Sequence, residues 1–433
     1  MKPLQIAVEY ERGLHHAHDF RVANLASEFL SHRLNLDERG NTKYFHREGT
    51  RHQTEYNSLR PLSNLNLLCM EFLKAEELSD RISAELGVLN VPISETSAGV
   101  AEINPEVMNR VYGYQTIFGN EAVKKLIRIS GIHLHVDQFP DRLADQFNAL
   151  TALRPTIALT STSSISYLGE NKVNCHRYKI IADPKEGVFA KIPEERGYIN
   201  SMEELERRDQ ERHNKWSTEF ANSYNRRHSK GLPLTYNLDS FLEHFPVEKT
   251  GYPDVRNRPN MGKGTFELRI NDTAPLNIVL GQAALVLGYN RRILLDTIPV
   301  NIAENNFKND GKYQFHQNGV LLPNQDTLDY YTLQARDHGL ENPQLREYLS
   351  ALCEFTQEGL SAHEQRYLKP YVEMLASGQN LASELLRMLG HKIHYSPQDG
   401  ALANQFIWNK HQHSIQSLQD KIAYQRGVYV CVE

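Results

Sequence analysis

Carboxylate side chains recur at alternate positions in several short segments of the chain. Glu9 and Glu11 are two residues apart, and Glu71 directly follows the apolar run 65–70. Side chains two residues apart on a β-strand point to the same face of the sheet. Glu9 and Glu11 alone could be solvated edge charges. A carboxylate in apolar surroundings, such as Glu71, instead needs a cation or an arginine as partner, because an unpaired buried charge is costly.

A second group of ionisable residues occupies the segment Gly-Ile-His-Leu-His-Val-Asp. His133, His135 and Asp137 alternate with apolar residues and would share one face of a strand. The His-x-His-x-Asp spacing is also found in binuclear metal hydrolases, which makes a metal-dependent hydrolase the rival enzyme class. For either imidazole taken alone, a hydrogen-bonded structural histidine is the simpler interpretation.

Glu267 and Arg269 form a third same-face pair, in the segment Thr-Phe-Glu-Leu-Arg-Ile-Asn-Asp. In isolation they predict an ordinary salt bridge. Considered with the other segments, they place several carboxylates and a histidine on one sheet face, where the carboxylates would repel one another without hard divalent cations. This donor set suits Mg²⁺, with Mn²⁺ as the alternative, carrying a nucleotide phosphate.

Phosphate binding in this chain must use groups other than the common glycine-rich loops. The sequence contains neither a G-x-x-x-x-G-K-[ST] loop nor a G-x-G-x-x-G motif opening a helix. We therefore expect metal and arginine to hold the phosphates.

Strands must position these residues, and four short segments alternate large apolar with polar or small residues. The apolar positions of these predicted strands are Leu4, Ile6 and Val8; Leu68, Met70 and Phe72; Ile132, Leu134 and Val136; and Phe266, Leu268 and Ile270. Helical patterns lie between and after them, at 75–86, 120–129, 142–153, 344–358 and 362–376. The most apolar segment, 274–287, predicts a buried helix with Asp272 or Thr273 as N-cap and Pro275 in its first turn.

The composition changes along the chain and suggests its organisation. Residues 1–300 are predicted to form a catalytic sheet domain with a charged insertion at about 182–250, in which Ser201 and Glu204 predict the start of a polar helix. Residues 301–433 are predicted to be a mainly helical portion packed on the same domain.

Bulk properties restrict the partners and the compartment. The chain has 433 residues and a net charge of -5, which argues against nucleic acid or an anionic membrane as partner and favours small molecules. Its four scattered cysteines predict reduced thiols, and the first residues lack a signal-peptide pattern, so we expect a cytoplasmic protein. The sequence permits a homo-oligomer but does not define one.

Four stretches resemble the glutamate-cysteine ligase and YbdK-like carboxylate-amine ligase family. Residues 6–11 are similar to its opening V-E-x-E strand, 70–72 to its second acidic strand, and 130–136 to its G-[LVI]-H-x-[HN] strand. Residues 264–273 resemble its G-T-x-E-x-R-x-x-D-T segment, the most specific match. The weaker matches are the serine-rich stretch 159–178 with Arg177, and Asp254-Val255-Arg256. The chain departs from the pattern at Tyr10, where a third acid is common, and at Asp137, where glycine is frequent.

The resemblance implies an α+β fold with a curved, mainly antiparallel sheet, glutamine synthetase-like, with helices on its outer face. The sheet would form a funnel-shaped active site, with ATP entering at one end and the acceptor at the other. It implies an ATP-dependent ligase that activates a glutamate-type carboxylate as an acyl phosphate for attack by an amine such as cysteine. Its cofactors would be ATP and Mg²⁺ or Mn²⁺.

The resemblance also assigns roles to individual residues. The metal ligands would be Glu9, Glu11, Glu71, His133 and Glu267. Arg269 and Glu267 would be catalytic, and Arg177, Arg256 and Arg269 would bind substrate or phosphate, with His135 and Asp137 as secondary candidates. A metal-dependent hydrolase and a non-catalytic binding protein on the same fold remain the alternatives. The amine and the exact carboxylate stay open.

Overall fold

An antiparallel sheet forms the centre of the molecule. The computed structural model describes residues 3–95, 98–162, 173–183, 187–228, 236–304, 313–390, 392 and 395–430. In these residues the main sheet consists of β1 (Ile6–His16), β2 (Phe45–Arg47), β3 (Gln53–Asn57), β4 (Val88–Val91), β5 (Gly131–Asp137), β6 (Val255–Arg258) and β7 (Thr265–Asp272). Its order is β2-β3-β1-β5-β7-β6, and β4 pairs with the C-terminal part of β1. Every pairing in it is antiparallel, so the predicted α+β class and antiparallel sheet are confirmed.

A smaller sheet and many helices complete the described structure. The small sheet contains β8 (Val300–Ile302), β9 (Gln314–His316) and β10 (Gly319–Leu322). It begins at the boundary of the portion expected to be mainly helical, 301–433, and otherwise lies within it. The helices are α1 (Ala26–Leu30), α2 (Leu65–Leu86), α3 (Met108–Phe118), α4 (Asn120–Leu126), α5 (Leu143–Thr151), α6 (Ile157–Thr160), α7 (His176–Ile181), α8 (Met202–His228), α9 (Leu238–His244), α10 (Leu276–Leu295), α11 (Gln325–His338), α12 (Pro343–Gln357), α13 (Ala362–Gln365), α14 (Lys369–Ser377), α15 (Leu381–Leu389) and α16 (Pro397–Val430).

The main sheet has one apolar and one ionisable face, as the alternation in β1, β5 and β7 predicts. The apolar face packs on α2 and α10. The Tyr10 ring lies edge-on to Phe72 of α2, with centroids 5.9 Å apart, and its hydroxyl donates to the Ala274 carbonyl at 2.7 Å. Helices α6 and α7 also contact β7, and α7 carries Arg177 to the ionisable face, so helices cover both faces and not only the outer one.

Helix α10 is the buried helix that the apolar segment predicts, but it begins later than expected. Strand β7 continues to Asp272, and Pro275 occupies the N-cap position, so the prediction of Asp272 or Thr273 as N-cap is wrong. By length and composition α10 could cross a membrane, yet 89% of its most apolar window is buried inside the protein. It serves as the core helix onto which α2, α12, α14 and α16 pack.

The second predicted strand is wrong, because its residues belong to helix α2. The segment around Leu68 and Phe72 is helical because its buried residues follow a spacing of three and four, which competes successfully with the short alternation. Asn64 caps the helix by accepting from the amides of Asn66 and Leu67, and Gly87 ends it in the left-handed conformation.

The remaining helices follow the sequence patterns with small shifts. Helix α8 begins after Ser201, whose hydroxyl accepts from the Glu204 amide at 3.4 Å. Its Trp216 and Phe220 are fully buried, so the charged segment has an apolar side that packs on α3. Helix α12 matches its predicted range, whereas 362–376 divides into α13, a 3-10 turn and α14, with Pro370 in the first turn of α14.

Candidate active site

Cross-strand pairing brings the predicted ligands on β1, β5 and β7 together. Glu9 of β1 lies opposite His133 of β5, and His135 lies opposite Glu267 of β7. The His133 Nδ1 atom is 2.8 Å from a Glu9 oxygen and 3.7 Å from a Glu267 oxygen. One donor atom from each of Glu9, His133 and Glu267 falls within 4.8 Å of the others. These three side chains form a first candidate cation site.

A second candidate cation site lies on the other side of His133. Glu11 pairs with Glu55 of β3, and the two carboxylates converge with the His133 ring. The His133 Nε2 atom is 3.6 Å from a Glu11 oxygen, so the two nitrogens of one imidazole face the two sites. The other Glu11 oxygen accepts from the Gly131 amide at 2.6 Å, which fixes its direction.

The protonation equilibria of these groups show that negative charge is crowded here. Burial, followed by the charge of the nearby Glu48, raises the pKa of Glu11 to about 8. Burial and the charges of Glu48 and Glu9 hold the pKa of Glu55 well above its usual value. Acidic groups this close disfavour joint ionisation unless a cation lies among them. The carboxylates of Glu11 and Glu55 are therefore suited to binding a divalent ion.

The groups of the first cation site respond differently to burial. Burial raises the pKa of Glu9, but hydrogen bonds from His133 and His135 outweigh it and hold that pKa well below its usual value. Burial lowers the pKa of His133 to about 4, which leaves a neutral imidazole available as a ligand at pH 7. For Glu267, burial is outweighed by Arg269 and Arg256, which hold its pKa at about 2.

Arginine side chains concentrate on the β6–β7 side of the site. Arg269 donates to one Glu267 oxygen, while Arg258 and Arg256 approach the other oxygen to 3.6 and 3.9 Å. Burial, followed by the charge of Arg269, lowers the pKa of Arg256 to about 9. Three guanidinium groups around one carboxylate leave an excess of positive charge, which favours an anionic ligand.

Arg177 enters the site from α7 and contacts its centre. Its guanidinium donates to His133 Nε2 at 3.3 Å and to the Tyr252 hydroxyl, and it lies 3.9 Å from Glu11. A Cβ atom at Gly131 would lie 2.4 Å from Arg177 Cζ, so the glycine before the histidine strand makes room for this side chain. The Tyr252 ring in turn lies under Arg269, with Cζ 4.6 Å from the ring centroid.

These groups line one cavity of about 380 Å³. The carboxylates Glu9, Glu11, Glu48, Glu55 and Glu267 are on its sheet wall, next to the arginines. Such a cavity could position two anionic substrates around cations, which is the requirement for phosphoryl transfer to a carboxylate.

Glu71 lies apart from this cavity. It is on α2, and its carboxylate accepts from the Tyr56 hydroxyl at 3.0 Å and from the Leu59 amide at 2.5 Å. Tyr56 belongs to the apolar face of β3, opposite to the face of Glu55. The acidic strand predicted there is wrong, and Glu71 has a structural position tying α2 to the end of β3.

Asp137 ends β5 opposite Thr265 and is half-buried, outside the two cation sites found among the described residues. Of the serine-rich stretch, residues 163–172 lie outside the described residues, as does Cys431.

Asp254 precedes β6 and forms an ion pair with Arg154 at 3.1 Å, while its carbonyl accepts from the Arg269 amide at 3.0 Å.

No protein-family model and no curated protein sequence matches this chain. Solved structures do match it. A glutamate-cysteine ligase from Francisella tularensis, solved in complex with AMP, superposes with a TM-score of 0.54 at 13% identity, over 99% of this chain and 94% of that one. The chain is similar in fold to a glutamate-cysteine ligase. This confirms the resemblance predicted from the sequence at the level of the fold.

A second solved structure agrees over part of its length. It is a bifunctional glutathione synthetase from Pasteurella multocida, with a TM-score of 0.53 and 15% identity over 94% of this chain. Our chain covers 52% of it and therefore spans about half of that protein's length.

Sequence reasoning missed Glu48 and Glu55, both of which line the cavity. Strand β3 has five residues, and Tyr56 is its one large apolar side chain, so its alternation is too short to be recognised. The signal available was the placement of Glu55 next to Tyr56, which gives a strand with one ionisable and one aromatic side. Glu48 directly follows β2 and shows no pattern in the sequence.

Proposed function

We propose that this protein is an ATP-dependent carboxylate-amine ligase. It would activate a glutamate-type carboxylate as an acyl phosphate and pass the acyl group to an amine such as cysteine. The observation that carries the proposal is that buried carboxylates and His133 adjoin three arginines in one cavity. The likeness in fold to a glutamate-cysteine ligase supports it.

The donor set fits divalent cations of the magnesium type. Glu9, His133 and Glu267 would hold one ion, and Glu11, Glu55 and His133 offer a second arrangement. The fit rests on the crowding of acidic groups with raised pKa and on a buried Glu267 oxygen that has no hydrogen-bond partner among the described residues. Bound Mg²⁺ or Mn²⁺ would neutralise phosphate charge and orient the nucleotide.

The protein's own groups would then bind and orient the reactants. In the first step a substrate carboxylate oxygen attacks the γ-phosphorus of ATP, and ADP leaves. Arg269 can stabilise the transferring phosphoryl group through two parallel hydrogen bonds, and Arg256 adds a buried positive charge beside it. In the second step the amine nitrogen attacks the acyl carbon, phosphate leaves, and the nitrogen loses a proton. Arg177, between His133 and Glu11, would hold the substrate carboxylate.

The funnel shape and the glutamine synthetase-like arrangement belong to this proposal, with nucleotide and amine entering from opposite ends. So do cytoplasmic location and the division into a sheet domain and a helical portion. Glu55 joins the proposed ligands, and Glu71 does not, because its carboxylate accepts from Tyr56 and Leu59 at the end of β3, away from the cavity.

The rival hydrolase needs His133, His135 and Asp137 around its metals. His133 and Asp137 are four residues apart on β5, which corresponds to roughly 13 Å at about 3.3 Å per residue. They cannot bind the same ion, and both histidines point to Glu9 instead. A non-catalytic binding protein would have no need for a dense set of buried charges, whose burial costs stability.

Product analysis by mass separates these functions. The full chain is incubated with ATP, Mg²⁺ and an equimolar mixture of amino acids. The ligase predicts an amide whose formation requires ATP and releases ADP and phosphate. Products formed without ATP would favour the hydrolase, and nucleotide binding without any product would favour the binding protein.

A further inference from the structure

The two walls of the cavity differ in chemistry. One is the ionisable face of the sheet. The other is built by α3, α4 and α7 with their flanking residues, and it is mostly aliphatic: Val107, Val111, Val123, Leu126, Ile127 and Ile181. Arg110 and Tyr114 are the polar residues that α3 adds to the lining. A ligand that fills this cavity must therefore present a charged end to the sheet and an apolar end to the helices.

The aliphatic wall is supported from behind, so the cavity is preformed. Tyr114 of α3 packs edge-on against Phe245 at 5.1 Å and against Trp216 of α8 at 6.0 Å between ring centroids. Gly113 lets Phe245 approach closely, since an added Cβ would lie 2.4 Å from that ring. An aromatic cluster of this kind fixes α3 and keeps Val111 from closing onto the sheet.

An adenine base is a poor match for this wall. Bases are selected through hydrogen bonds at their edges, and the six aliphatic side chains offer none. The Arg110 guanidinium, which also lines the cavity, lies over the rings of Tyr114 and Phe245, with Cζ 5.8 Å from each ring centroid. Gln53 is the amide that lines the cavity, and its side chain is already used. Its Nε2 donates to the Ile129 carbonyl and the Ser130 hydroxyl, both at 3.0 Å, and its Oε1 accepts from Thr50 at 2.8 Å.

Resting on the proposed ligase function, we propose that the amine substrate carries a large apolar side chain, branched aliphatic or aromatic. This side chain packs on the aliphatic wall while the amino group faces the activated carboxylate at the sheet. The apolar side chain of such a substrate would replace water at the wall, and this burial of apolar surface favours binding. The small thiol of cysteine would leave most of the wall in contact with water. The bond formed is the amide bond of the proposed ligase reaction, and no further reactant is needed.

Steady-state kinetics with single amines test this inference. The full chain is assayed with ATP, Mg²⁺ and L-glutamate, and with L-leucine, L-phenylalanine, L-cysteine or L-aspartate as amine. We expect kcat/KM for leucine or phenylalanine to exceed that for cysteine by roughly tenfold or more, since a hydrophobic pocket discriminates on this scale for each methylene group. Val111→Thr and Leu126→Gln place polar atoms on the wall and should lower this ratio about tenfold with the KM for ATP unchanged. Val372→Thr, on the exposed side of α14, is the matched control.

Binding of L-leucine without ATP, measured by calorimetry, separates this inference from the proposed function. If no amine is turned over but leucine binds the wild type about tenfold more tightly than Val111→Thr, the ligase fails and the apolar substrate site stands. Turnover that favours cysteine and ignores both wall substitutions overturns the inference alone. It is also overturned if the substitutions raise only the KM for ATP, which would assign the wall to adenine, or if neither leucine nor phenylalanine binds.

Discussion

Glu267 joins the acidic and basic sides of the site, because it faces His133 in one direction and three arginines in the other. Arg269 and Arg256 keep it ionised despite burial, which alone would raise its pKa. Glu267→Gln retains its size and removes the charge. We expect kcat to fall at least about a hundredfold and Mg²⁺ activation to disappear. The protein should still fold, with stability reduced by about 3–5 kcal/mol because the arginines lose their partner.

Titrations of rate against Mg²⁺ and thermal unfolding curves measure the two effects of this change. Glu373→Gln is the matched control, since this glutamate is exposed on α14 beside Lys369. A Glu267→Gln enzyme with a near-normal rate would remove Glu267 from the site.

His133 and His135 are neighbours on one strand face but have unequal surroundings. His133 faces Glu9, Glu11 and Glu267, whereas His135 contacts Glu9 at 3.0 Å and Thr265 at 3.4 Å. His133→Asn should therefore abolish metal-dependent turnover, and His135→Asn should lower it only several-fold. Metal affinity measured by calorimetry on both variants checks the order. The reverse order would show that His135 is the ligand.

Arg269 differs from a lysine in the geometry of its donors. Its planar guanidinium can hold two phosphoryl oxygens, and its stacking over Tyr252 fixes that plane. Arg269→Lys should lower kcat by about a hundredfold, corresponding to ~2 to 4 kcal/mol in the transition state, and change the KM for ATP much less. Steady-state kinetics at saturating amine measure both constants. A large rise in KM with kcat unchanged would make Arg269 an anchor for bound ATP instead.

Asp272 ties the end of β7 to three other segments, and one of the contacts is with the Cys175 thiol, which donates to it at 3.3 Å. Its carboxylate accepts from the Ser94 hydroxyl at 3.1 Å and from the Thr162 amide at 3.3 Å. Burial raises its pKa to about 6 from an ordinary value of 3.8. The folded state thus binds the proton more tightly than the unfolded state. The resulting stabilisation is complete below about pH 4 and is lost as the pH rises through about 6.

The variant Asp272→Asn keeps the acceptor oxygen and removes this titration. Relative to the variant, the wild type should lose up to about 3 kcal/mol of unfolding free energy between pH 4 and pH 7. Urea unfolding of both proteins across this range measures the difference. A constant difference between the two curves would show that Asp272 is ionised throughout.

Which elements could be predicted from the sequence depended on the length of each pattern. Strands β1, β5 and β7 have seven or more residues and show clear alternation, so their residues on one face were identified correctly. At Leu68 and Phe72 the same alternation misled, because three apolar residues alone fit a strand and a helix equally. The helical spacing of three and four becomes clear only over the longer segment 65–83, which Asn64 caps. Strand β3 was too short to predict, and with it Glu55 was missed.

At the scale of the whole molecule, the site is a consequence of strand order. Pairing of β1 with β3 and β5, and of β7 with β5 and β6, brings acids separated by up to 258 residues onto one face, as Glu9 and Glu267 show. No local pattern specifies which strands are neighbours, so the sequence could predict the ligands on the long strands but not their grouping into two sites. The order also separates charge, with carboxylates on the β1–β3 side and arginines on the β6–β7 side.

This separation of charge leads to the prediction that tests the mechanism as a whole. If the carboxylate is activated by phosphorylation, one of its oxygens becomes the bridge to phosphorus and leaves with phosphate when the amine attacks. A substrate labelled with ¹⁸O in that carboxylate should therefore transfer one labelled oxygen to inorganic phosphate for each amide formed. Adenylation would send the label to AMP and release pyrophosphate, and a hydrolase would label neither.

We expect the label in phosphate because Arg269 and Arg256, beside Glu267, can neutralise a transferring γ-phosphoryl group. Mass spectrometry of the phosphate and of AMP measures both routes in one reaction, and a sample without amine serves as control. Label in AMP, or an amide formed without ATP, would contradict the acyl phosphate and with it the proposed ligase mechanism.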